Sequence, residues 1–294
     1  MEENLDKIFI KIIMGLIVIG MVVSYRVAHE LIYFSGKKNF FKIFNSHVNP
    51  AESIHYYARI LSSSILIYPL ILTFQDDFFS LFIHITTWSI LAFGLFISSV
   101  YFVENTILNH FDYKNEILKK ENYAYALISA TLSLCFALSI NFVIKNADFS
   151  IPIVIILWFL SLIFLGISSK IYTALTSFQF MKDILAKNLG AAISFAGFMS
   201  GASLILFMCL NQEYIEFTEY FIQMASDLTL CLFFAPLFYL FLKRVYLRNT
   251  NFTQMHYVRG GTFQLYLATG LTEATLFLTS SILTILTVFN LGIR

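Results

Sequence analysis

The sequence predicts an all-α, polytopic membrane protein: eight transmembrane helices, arranged as two tandem four-helix repeats with both termini outside. Three observations carry that prediction. Hydrophobic residues fill 58% of the 294 positions and charged residues only 13%, where soluble domains run at about 45–50% and about 25%. Lysine and arginine fall almost entirely into alternate connections between the apolar runs. Asparagine-led helices also recur at a fixed spacing.

A helix needs about 20 mostly apolar residues to span a bilayer. Eight runs qualify, at 8–34, 53–74, 79–104, 122–144, 150–170, 189–210, 219–242 and 261–286. They leave only short connections, so no separate soluble domain fits. The first run follows the acidic flank Met1-Glu-Glu-Asn-Leu-Asp6 and is followed by no small-residue cleavage site, so it reads as a retained helix. Cys135, Cys209 and Cys231 all fall inside runs, in no C-x-x-C spacing, and read as small buried hydrophobes.

Orientation follows from the basic residues. The connections after runs one, three, five and seven, with their helix ends, hold 15 of the 19, including Lys37, Lys38, Lys42, Lys114, Lys119, Lys120, Lys182, Lys187, Lys243, Arg244, Arg248 and Arg259. The opposite side has Lys7, Lys11, Lys145 and Arg294, beside acidic patches at Asp76-Asp77 and at Glu213, Glu216 and Glu219. The positive-inside rule puts the basic connections in the cytoplasm.

Repeats organise the runs further. Asn188-Leu-Gly-Ala-Ala-Ile-Ser-Phe-Ala-Gly-Phe-Met-Ser-Gly-Ala-Ser203 opens run six, and Asn49–Ser64 runs beside it 139 residues earlier without a gap. Glu121–Ala130 opens run four and Arg259–Ala268 opens run eight, with Gly260 lying 138 residues after Asn122. The chain therefore reads as four helical hairpins in two units, 1–147 and 148–294. All four hairpins begin on the same side, so the repeats are parallel. In run six, Ala192 and Ala196, and Gly197 and Gly201, are four apart, which lets helix backbones approach closely in a bilayer. Those faces are available either to a homo-oligomer or to packing within one chain.

The pattern of an apolar helix, a basic connection and an Asn-led Ala/Gly-rich helix resembles the bacterial membrane family catalogued as domain of unknown function 350. The likeness is best at Lys187–Gly201 and fair at Glu121–Ala130. The first unit departs from it with Glu52, His55, Tyr56, Tyr57 and Arg59 where the family favours small residues, and run eight has Gly260 in place of the asparagine. The resemblance implies a bacterial inner-membrane protein; the family supplies no catalytic residues to carry over.

Ionisable groups inside a membrane are costly and point to function. Asp227 lies about 12 Å along run seven from Glu219, and Glu273 about 18 Å along run eight from Gly261, at 1.5 Å per residue. Counted across a core about 30 Å thick, both acids reach the same depth on helices expected to be antiparallel neighbours, where they either face each other as a pair or face apart. Gln223 lies one turn before Asp227, while Thr262, Thr269, Glu273 and Ser280 share one face of run eight. Such a pair would share a proton or hold a cation; the plainer reading is a neutral acid hydrogen-bonded across a helix interface. His84, early in run three, is a candidate for an outer site in the first unit or a satisfied helix-end residue. Glu52, His55 and Arg59 share a face, and the arginine is expected to snorkel to the cytoplasmic interface rather than pair with Glu30 or Glu52.

Enzyme templates are missing: the chain has no H-E-x-x-H, G-x-S-x-G, phosphate loop or dinucleotide fingerprint. The expectation is a protein that is not an enzyme, with no cofactor, no metal site and no nucleic-acid partner. Two readings follow. In one, the protein passes or senses a small cation or protons through Asp227, Glu273, Gln223 and Thr269. In the other, it is a non-conducting scaffold whose basic connections recruit a cytosolic protein partner or anionic lipid. The lipid bilayer is a partner in both.

Overall fold

The computed structural model describes residues 2–33, 49–66, 78–108, 111–147, 150–176, 178–212, 216–247 and 263–289. The connections holding Lys37, Lys38 and Lys42, Asp76-Asp77, and Arg248 to Thr262 lie outside the described residues, as do Glu213 and Arg294. The helices are α1 (Glu2–Ile32), α2 (Pro50–Ile65), α3 (Phe78–Thr106), α4 (Tyr123–Asn146), α5 (Ile151–Leu175), the short α6 (Phe180–Leu185), α7 (Leu189–Leu210), α8 (Phe217–Tyr246) and α9 (Phe263–Phe289). A π-helical turn, Lys114–Lys119, precedes α4. No strand occurs among the described residues.

Seven of these helices are long and apolar enough to cross a membrane. The exceptions are α6, with 6 residues, and α2, with 16, fewer than the roughly 20 a span needs. The rest of predicted run two enters 67–77, outside the described residues.

Three of the four hairpins are punctuated in the same way. Asn49, Asn122 and Asn188 cap α2, α4 and α7, their side-chain oxygens accepting from the backbone N–H of Glu52, Tyr125 and Ala191. The asparagine amides add ties between hairpins. Asn49 Nδ2 donates to Ile117 O at 2.9 Å, and Asn122 Nδ2 donates to Ile184 O at 2.8 Å. Each carbonyl lies in the turn that precedes the next capped helix. The residue before each of these last two caps has positive φ, 51° at Glu121 and 59° at Lys187. Left-handed backbone there turns the chain from the connection into the helix.

The three capped helices and α9 form an inner row, α2–α4–α7–α9, in which neighbours run parallel. Cys135 Sγ meets Met199 O at 3.6 Å and Asn146 Nδ2 donates to Leu210 O at 2.6 Å, so α4 and α7 rise together. Helices α1, α3, α5 and α8 return the chain outside the row. Along α1 the exposed residues include Ile8, Ile12, Leu16, Ile19, Val23 and Val27. An exposed apolar stripe of that length suits hydrocarbon and not water.

The tightest seam joins α7 to α9. A Cβ at Gly197 would overlap Ala274, one at Gly201 would overlap Ser281, and one at Gly270 would overlap the backbone of Gly190. The small-residue face therefore closes within the chain and is not free for a second copy. Ala192 is fully buried and Ala196 half-buried.

Candidate functional site

Two polar clusters form at the basic end of the bundle, one per repeat, and every helix of the repeat contributes to its own cluster. In the first, Tyr25, His29 and Tyr33 stack at four-residue intervals along the end of α1. His55 and Arg59 lie one turn apart on α2, Glu104 sits in the last turn of α3, and Tyr125 and Ser129 lie one turn apart on α4.

Arg59 is 1% exposed, which overturns the snorkelling expectation. Its ion-pair partner is Glu104: Nη2 pairs with Glu104 Oε1 and donates to Ser129 Oγ at 3.0 Å, while the Glu30 side chain lies outside the described residues. Nη1 donates to Tyr33 OH at 2.5 Å and to Tyr25 OH at 3.3 Å. Tyr33 in turn donates to Glu104 Oε1. A buried ion pair survives only when such bonds replace lost hydration. The guanidinium also lies 5.2 Å from the Tyr33 ring centroid, within cation–π range.

Histidine and tyrosine rings surround the pair. His29 bridges Tyr25 OH at 3.3 Å and Tyr113 OH at 3.2 Å. His55 Nε2 stands 3.8 Å from Glu104 Oε1, too far for a hydrogen bond. Both its ring nitrogens lack hydrogen-bond partners among the described residues.

In the second cluster the central group is Glu273 on α9, 0% exposed. Its Oε2 accepts from Ser194 Oγ at 2.8 Å and from Thr176 Oγ1 at 3.2 Å. Its Oε1 has no partner among the described residues, and the same holds for the nearby Tyr239 hydroxyl. Tyr172 OH donates within 3.2 Å of Ser194 Oγ. Tyr239 stacks on Phe277, one turn beyond Glu273, with centroids 4.0 Å apart and planes 9° apart. Lys243 lies near enough to act on Glu273 electrostatically, but its ammonium sits over the Tyr239 ring, 5.4 Å from the centroid.

The clusters occupy corresponding places. Counted from the capping asparagines, His55 and Ser194 hold the same position, and Arg59 corresponds to Phe198. Tyr33 and Thr176, each the first residue past the first helix of its repeat, donate to Glu104 and Glu273 respectively. Glu104 and Lys243 both lie in the last turn of the third helix.

The expected Asp227–Glu273 pair does not form. Asp227 Oδ2 accepts from Gln212 Nε2 at 2.6 Å, just past the far end of α7. Ser194, which holds Glu273, lies 18 residues earlier, about 27 Å at 1.5 Å per residue. Equal depth was counted along each helix from its own mouth, whereas Thr176, just past the end of α5, draws Glu273 toward the basic end. Thr269 is buried and Ser280 is buried, donating to Phe277 O. Gln223 is exposed and lines no path with them. His84 is half-buried beside Trp88, ring centroids 6.1 Å apart, away from both clusters. The three cysteines are buried and free. Among the described residues no group of three His, Cys, Asp or Glu side chains could hold a metal ion.

Sequence reasoning missed Glu104, Tyr25 and Tyr33. The signal was present: three polar or aromatic residues at i, i+4, i+8 on α1, opposite a face carrying His55 and Arg59.

An inner row of parallel helices, sheathed by helices with apolar outer faces, defines a multi-pass integral membrane protein built from hairpin repeats. The sequence profile of the family described as Domain of Unknown Function (DUF350) matches it twice, over residues 5–144 and 148–288. The chain belongs to that family and is a tandem duplication of its domain. No curated protein and no solved structure matches the chain.

Proposed function

We propose that the protein is a proton-responsive membrane protein whose second repeat takes up and releases a proton at Glu273. It would sit in a bacterial inner membrane, with eight spans, both termini outside and the basic connections in the cytoplasm. In this reading it is a binding and passage device rather than an enzyme.

One observation carries the reading: a fully buried carboxyl, with one oxygen held by two hydroxyls and the other unpartnered among the described residues. Desolvation makes a lone buried carboxylate costly, so the group favours a bound proton or a close cation at Oε1. The interior favours the proton over a hydrated ion. Beyond Glu273 the four helices leave a void of only about 30 Å³, whose lining includes Ser168, Ser280 and Ser281. So small a void leaves an ion little room for a full hydration shell.

Liposomes containing the wild-type protein and Glu273→Gln test this with a pH-sensitive dye inside, alongside a potassium-sensitive one. The expected result is a proton flux that Glu273→Gln abolishes and no potassium flux in either protein. Equal proton flux from both would overturn the assignment.

A further inference from the structure

Near the basic end, a cleft of about 410 Å³ opens where α5, α6 and α7 meet the end of α3 at Ile107. Phe178, Phe180 and Phe195 give it an apolar floor, while Lys170, Thr173 and Lys182 edge it with polar groups. Both lysines are exposed, and among the described residues neither forms an ion pair. Asp183, the acid beside Lys182, does not line the cleft. Burial pushes its carboxyl up, offset in part by the neighbouring Gln179 backbone and Asn188 side chain.

A second feature leads into the same place. Ile156, Phe159, Ile163 and Ile167 are exposed along α5, and Lys170 continues their line. The steps of 3, 4, 4 and 3 residues keep all five on one helical face. From Ile156 to Lys170 this apolar track runs about 21 Å at 1.5 Å per residue, comparable to one acyl chain. It ends at the cationic rim of the cleft.

We infer that this cleft is a binding site for one anionic phospholipid, its acyl chain on the α5 track and its phosphate between Lys170 and Lys182. An unpaired cationic rim continuous with a hydrocarbon-facing track matches a ligand with a negative head and an apolar tail. A zwitterionic lipid would gain the track but less from the rim. The site is separate from Glu273 and stands without it.

The test uses the full chain in detergent, titrated with short-chain phosphatidylglycerol, phosphatidylcholine or glycerol phosphate, and read by native mass spectrometry. Phosphatidylglycerol is expected to bind at least tenfold tighter than phosphatidylcholine. A K170Q/K182Q double variant should lose most of that preference, whereas K114Q/K119Q, at exposed lysines on the neighbouring connection, should keep it. Glycerol phosphate should not displace the lipid. Three results would each overturn the inference: unchanged preference in K170Q/K182Q, equal loss in K114Q/K119Q, or full displacement by glycerol phosphate. The last would mark a site for soluble anions.

Discussion

In the first repeat Arg59 and Glu104 close on each other, and two tyrosines and a serine bond to the pair. In the second, Glu273 meets only hydroxyls on one oxygen, and Lys243 rests over an aromatic ring. The scaffolds are copies, yet the charges stand on different helices. The first repeat places its cation on the second helix and its acid on the third; the second repeat places its cation on the third and its acid on the fourth. Duplication thus kept the position of the polar pocket while changing its chemistry. Among the described residues, one pocket pairs its charges, although Arg59 Nε and the His55 ring lack hydrogen-bond partners, and the other keeps an acid with no ion pair and one oxygen unpartnered.

The largest expected effect breaks that contrast directly. Glu104→Gln leaves the Arg59 charge buried without its counterion, and should cost about 3–5 kcal/mol of stability. Combining it with Arg59→Met removes both charges and should recover most of the loss. Glu273→Gln removes an acid that has no close ion pair and keeps an acceptor for Ser194 and Thr176, so it should change stability by about 1 kcal/mol or less. Chemical unfolding in mixed micelles measures all four proteins. If Glu273→Gln were as damaging as Glu104→Gln, both clusters would be structural and the contrast would fail.

A second effect tests the seam that seats Glu273. Gly270→Leu would drive a side chain into the Gly190 backbone, where neither partner has a side chain that could move aside. Overpacking of this kind costs about 1–3 kcal/mol. It would also part α7 from α9 and pull Ser194 away from Glu273, so proton flux should fall with stability. Gly94→Leu on α3, where nothing lies within 4 Å of an added Cβ, should be neutral or slightly stabilising. Loss of flux without loss of stability in Gly270→Leu would separate the site from the seam.

Much of this architecture was legible because it depends on local rules. An asparagine ahead of a helix announces a cap, and Asn49, Asn122 and Asn188 all serve as caps. The Gly197 and Gly201 spacing announced close packing, and both glycines lie against α9. What the sequence hid was partner choice. Glu104 is 45 residues from Arg59, in a different hairpin, and the packing of α3 against α4 and α1, with α2 against both of those helices, brings the two together. Glu30 and Glu52 are nearer in sequence, and the expectation of snorkelling left no place for a distant buried partner. The Asp227–Glu273 pairing failed for a related reason. Depth along one helix fixes height only if the helices start level, and here helices of 25, 30 and 27 residues overlap out of step.

The smallest effect distinguishes the two connections that carry left-handed residues. Left-handed backbone costs a residue with a side chain about 1–2 kcal/mol, while glycine there forfeits about 0.5–1 kcal/mol through its freer unfolded chain. Glu121→Gly, at an exposed position with φ of 51°, should therefore stabilise the protein by about 0.5–1 kcal/mol. Lys187→Gly relieves the same cost at φ of 59°, but it also removes the bond from Lys187 Nζ to Lys120 O that ties the two connections together. Its net change should be close to zero. Unfolding midpoints of the two variants, compared side by side, measure that tie as the difference between two otherwise equivalent turns. Equal gains would mean that the lysine's tie contributes nothing and that the bond from Asn122 Nδ2 to Ile184 O holds the two connections together without it.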